Sequence, residues 1–88
     1  MQTRYTRKIK KAEYDRERDI LYIHYENDRG NSYGDEIERD LIVMRDIDTD
    51  EEAGLMIFYP VKRRAQCEKN LAKHGYDTKI PELCYEAV

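Results

Sequence analysis

Glu-Tyr-Asp at 13–15, Asp-Ile-Leu-Tyr-Ile-His-Tyr at 19–25, Asp-Glu-Ile-Glu-Arg-Asp-Leu-Ile-Val-Met at 35–44 and Leu-Met-Ile-Phe-Tyr at 55–59 decide the fold. The apolar runs are short and rich in β-branched and aromatic residues, which suit strands. Between them stand residues 27–32, a cluster of Asn, Asp, Gly and Ser, and the Asp-rich acidic run 46–52, both of which favour turns. This punctuation predicts an antiparallel β-meander. Upstream, residues 4–14 predict a first strand whose lysines suit an exposed edge. The expected strands are therefore 4–14, 20–25, 35–45 and 55–59.

After Tyr59 the apolar period lengthens. Pro60 fits a first helical position, and Val61, Ala65, Leu71 and Ala72 recur at helical spacing with Glu68 interrupting the stripe. Lys73 and His74 suit a last turn, and Gly75 suits a terminator. The helix is expected over 60–75, followed by a tail, 76–88, apolar enough to pack on the body. The expected fold class is α+β: a four-stranded antiparallel β-meander with one C-terminal helix packed on one face, a single domain over 1–88.

Alternation along the strands sharpens this picture. In the second strand Leu21, Ile23 and Tyr25 face one way and Ile20, Tyr22 and His24 the other; in the third Leu41 and Val43 oppose Ile42 and Met44, and in the fourth Leu55, Ile57 and Tyr59 oppose Met56 and Phe58. Both faces are apolar, although an antiparallel sheet that leaves one face wet normally makes it polar. A single helix covers only one. The second face, with Tyr22, Met56 and Phe58, is expected to be an interface in a symmetric homodimer, the tail being the rival cover.

Charged residues are 40% of the chain, far above the ordinary share of about 25%, yet the apolar residues cluster in runs, so the chain reads as folded. The net charge of −3 is segregated: residues 1–12 carry +5, residues 26–52 carry −8 and residues 60–74 carry +4. Acidic middle and basic flanks can satisfy each other within one chain or between two. Of nine aromatic side chains eight are Tyr, which suits half-buried faces and interfaces. No run is long and apolar enough to span a bilayer, and Cys67 and Cys84 are too few and too far apart for a disulfide framework. The chain is expected to be cytoplasmic, with reduced thiols and no membrane partner.

Sites of chemistry are sparse. Asp46, Asp48 and Asp50 have the opening spacing of a calcium loop, but its sixth and twelfth positions are Glu51 and Ile57, where Gly and Glu are required. His24, His74, Cys67 and Cys84 lack the close spacing of structural zinc sites. The one serine, Ser32, lies in a turn without a nucleophile-elbow setting, and no glycine-rich phosphate loop exists. No catalytic residue, cofactor or metal is therefore assigned. Arg4, Arg7, Lys8, Lys62, Arg63 and Arg64 form the alternative: a basic N-terminus and basic helix that would contact nucleic acid if they were neighbours, in a chain that is nonetheless acidic overall.

Tyr14, Asp15, Asp19, Leu21, Tyr22, Ile23, Glu36, Glu38, Ile42, Val43 and Gly54 stand in the order and spacing of a small prokaryotic family, domain of unknown function 2283, which this stretch resembles. The resemblance covers about half of the chain. It departs at Asp40, where the family usually has Gly, and at Leu55 to Phe58, where it usually has Gly-Ile-Glu-Ile. The resemblance implies a non-enzymatic interaction domain, antitoxin-like, with a small toxin as its protein partner.

Overall fold

The computed structural model describes residues 9–86. The elements are β1 (Ile9–Asp15), β2 (Ile20–Tyr25), β3 (Ser32–Glu38), β4 (Leu41–Asp46), β5 (Glu52–Phe58), α1 (Arg64–Lys73) and a 3-10 helix, Ile80–Tyr85. The class is α+β, with one five-stranded antiparallel sheet.

Two expectations about the sheet are corrected. The strand read over 35–45 is two, β3 and β4, joined by a tight turn at Arg39 and Asp40. Asp40 holds a positive φ of 72°, a conformation that Asp tolerates better than most residues and that glycine ordinarily signals. The order is also not a meander: it runs β1-β2-β5-β4-β3, so β5 inserts between β2 and β4. Strands β2 to β5 make a Greek key, with β1 added by a hairpin. The connection from β2 to β3 therefore spans the sheet end, and Arg29 ties it to the β4–β5 turn through Asp46 (3.0 Å) and Asp48 (3.2 Å).

The first face meets α1 and the tail. Leu21, Ile23, Tyr25, Leu41, Val43, Leu55 and Ile57 pack in one cluster with Cys67, Leu71, Tyr76, Ile80 and Cys84. Both C-terminal elements thus cover the same face, which removes the tail as a cover for the second. Helix α1 is shorter than the span 60–75, because residues 60–63 form a turn. Its buried face is Cys67, Asn70 and Leu71, whereas Val61, Ala65 and Ala72 are exposed. Asn70 replaces the expected apolar stripe because its amide donates to the Arg39 carbonyl (3.2 Å), satisfying a polar group that burial would otherwise penalise. The helix ends as Gly75 predicts: φ is +81°, Gly75 N–H donates to Ala72 (3.1 Å) and Tyr76 N–H to Leu71 (2.9 Å), a Schellman motif.

One aspartate joins the sheet to the helix. Asp19, 3% exposed with φ +57°, ends the β1–β2 turn. Its carboxylate accepts hydrogen bonds from the Tyr14 hydroxyl (2.7 Å), Val61 N–H (3.3 Å) and Lys62 N–H (2.9 Å). Its carbonyl accepts from Tyr59 N–H (2.7 Å).

Candidate interaction surface

The register builds the second face row by row. One row across the sheet is Glu13, Tyr22, Met56, Ile42 and Glu36; the next is Lys11, His24, Gly54, Met44 and Gly34. Phe58 stands beyond Met56, paired with Ile20. Tyr22, Ile42, Met44, Met56 and Phe58 are each half-buried by their neighbours alone. Among the described residues no element packs over them. The centre is thus apolar, and charges lie on both outer strands.

Gly54 makes this face uneven. It has no side chain between Met56, Met44 and His24, leaving a hollow of ≈ 140 Å³ lined by Tyr22, His24, Met44, Gly54 and Met56 among others. The hollow exists because β5 lies so close to β2 that a Cβ on Gly54 would stand 2.2 Å from the Ile23 carbonyl oxygen. At its rim His24 joins Asp28 through Nδ1 (2.9 Å) and Glu13 through Nε2 (3.2 Å). The Gly30 N–H first, and His24 second, hold Asp28 below the usual carboxylate range.

The three residues singled out from sequence, Tyr22, Met56 and Phe58, lie together on this face. Alternation set His24 beside Tyr22 and opposed Ile42 and Met44 to Leu41 and Val43, but only the register puts Ile42 and Met44 on this face, and the hollow above Gly54 gave no signal, since it depends on the approach of two strands distant in sequence.

The basic residues are dispersed by pairing. Arg63 binds Asp40 (3.1 Å) and stacks 4.4 Å over the Tyr59 ring; Arg64 binds Glu68 (2.7 Å) and reaches Glu82 (3.7 Å). Lys62 is exposed, and Arg4, Arg7 and Lys8 lie outside the described residues. Lys73 and His74 both converge on Glu38, at 2.8 and 2.9 Å, and hold its carboxyl below the usual range. In the acidic turn Asp46 and Asp48 share Arg29, while Asp50 turns to accept from the Tyr33 hydroxyl (2.6 Å). Asp46 is held below the usual range, first by Arg29 and then by the Asp48 N–H. No group of three or more potential metal ligands gathers among the described residues.

Both cysteines are buried free thiols. Burial pushes Cys67 up to about 12 and Cys84 to about 11, from 9.0. Burial, then the hydrogen bond to Asp19, pushes the Tyr14 phenol from 10.0 to about 12. Thiols that keep their protons this far above neutrality are poor nucleophiles. The unfolded chain releases these protons first, so their contribution to stability is complete below about pH 9 and lost as pH rises toward 12. Urea midpoints measured through that window should fall steadily, and a Tyr14→Phe, Cys67→Ala, Cys84→Ala chain should show a shallower slope. Equal slopes in the two chains would contradict the assignment.

No protein-family model, curated protein or solved structure matches this chain. No helix among the described residues is long and apolar enough to cross a membrane.

Proposed function

We propose that this chain is a non-enzymatic protein-interaction domain that pairs with a second copy of itself through the outer face of its sheet. One observation carries the reading: Tyr22, Ile42, Met44, Met56 and Phe58 form a contiguous apolar patch over the sheet centre with no described element on it. Such patches mark interaction surfaces, and a two-fold contact is the commonest way identical chains cover one. The domain works in the cytoplasm, where buried free thiols stay reduced. An antitoxin-like role, with a small toxin as a further protein partner, is supported by the family resemblance alone.

Phe58→Asp tests the contact. Burying a carboxylate without a partner is costly, so the variant should remain folded but scatter light as a monomer of 10.6 kDa, while the parent chain scatters at about twice that mass. The variant should also bind an apolar dye. A parent chain that stays monomeric at high concentration, or a Phe58→Asp chain that is unfolded at every concentration, would overturn the proposal.

A further inference from the structure

The outer face carries its own complement, and we infer from it how two copies dock: sheet on sheet, about a two-fold axis that crosses the strands between the Met56 row and the Gly54 row. This inference rests on the face contact just proposed and adds its geometry.

The argument begins with the register. A two-fold axis in the plane between two stacked sheets, perpendicular to the strands, keeps β1 over β1 and β5 over β5 while exchanging the rows on either side of it. The row Glu13, Tyr22, Met56, Ile42, Glu36 then lies over the partner's row Lys11, His24, Gly54, Met44, Gly34. Met56 therefore meets the hollow above the partner's Gly54, a space of ≈ 140 Å³ that the face leaves open. Because the operation is symmetric, the partner's Met56 enters the hollow of the first chain. An unbranched thioether is well suited to filling such an irregular gap. Ile42 meets the partner's Met44, extending the apolar contact toward β4.

The rim agrees. Lys11 and Glu13 are exposed on β1, 3.5 Å apart at their charged ends within one chain. Exchange of rows sets Lys11 against the partner's Glu13 and Glu13 against the partner's Lys11, two opposite-charge pairs for one symmetry operation. At the other rim Glu36 lies over the partner's Gly34, not over an acid. Running the axis along the strands instead would set β1 over the partner's β3 in the same row, and Glu13 against Glu36. Like charges opposed in this way select against that orientation.

Two charge-reversed chains test it by mixing. Lys11→Glu alone and Glu13→Lys alone each oppose like charges twice, and each should weaken self-association by about tenfold. An equimolar mixture restores opposite charges at both pairs, so the two chains should form a mixed dimer within about threefold of the parent affinity. The bridge within one chain cannot produce rescue by mixing. Circular dichroism and an unfolding midpoint on each variant establish that the fold is kept.

The outcomes separate the two readings. A dimeric parent chain that Phe58→Asp dissociates, with both charge variants at parent affinity, leaves the face contact standing and overturns the axis. A mixture that stays as weak as its components does the same. A dimer that survives Phe58→Asp but responds to mixing is joined along the β1 edges, and both readings fail. A parent chain that does not associate ends both.

Discussion

Gly54→Ala is expected to lower the stability of this domain by about 3 kcal/mol, a fall in melting temperature of roughly 12–24 °C for a chain of this length. Backbone freedom is not the cause. A Cβ at this position would stand 2.2 Å from the Ile23 carbonyl oxygen and 3.3 Å from its carbon. Both atoms belong to the backbone of β2, the strand paired with β5, so no side chain can turn aside. Relief requires β5 to move away from β2 at the centre of the sheet, opening the cluster around Leu21, Leu55 and Ile57. Gly75 supplies the control. Its φ of +81° is strained for any other residue, but nothing stands within 4 Å of the added Cβ. Gly75→Ala should therefore cost only about 1 kcal/mol, the penalty for a left-handed conformation. Thermal melts of the two variants should differ by many degrees. Equal losses would show that space at Gly54 is not limiting.

Asp19→Ala should be nearly as damaging, also at about 3 kcal/mol. The carboxylate is the shared acceptor for the Tyr14 hydroxyl and the N–H groups of Val61 and Lys62, at 2.7, 3.3 and 2.9 Å. Its removal takes the shared acceptor from three part-buried hydrogen bonds at the point where the chain leaves β5 for α1, and a donor left without its partner costs more than the bond itself contributed. Alanine also tolerates the φ of +57° less well than aspartate does. Asp19→Asn keeps an acceptor and accepts the same backbone conformation, so it should lose only about 1–2 kcal/mol. Urea unfolding of the three chains gives the ranking. Alanine and asparagine variants of equal stability would mean that the carboxylate contacts do not hold the junction. Because Tyr14 donates to this carboxylate, Asp19→Ala should also bring the phenol back toward its ordinary range, visible as an earlier rise in tyrosinate absorbance.

The strand β2, the centre of β5 and the alternation of their faces were legible because a half-buried strand repeats every two residues, a local property. Leu21, Ile23, Leu55 and Ile57 alternate with Tyr22, Met56 and Phe58 in the sequence as they do in the sheet. The end of α1 was legible for the same reason: Gly75 and Tyr76 set their hydrogen bonds within the last turn. The turn at Asp40 was not, because an aspartate occupies the left-handed position with no glycine to announce it. Nor was the strand order. The pairing of Tyr22 with Met56 joins residues far apart in the chain, and no periodic pattern reports which strand lies beside which. The same limit explains the helix: Asn70 is buried only because the Arg39 carbonyl, from another element, meets its amide. The hollow at Gly54 likewise arises where two such strands approach. Local composition thus determined β2, the centre of β5 and which side chains of a strand share a face. Tertiary structure decided strand order, the shared cover of one face and the shape of the other, since those follow from contacts between distant residues.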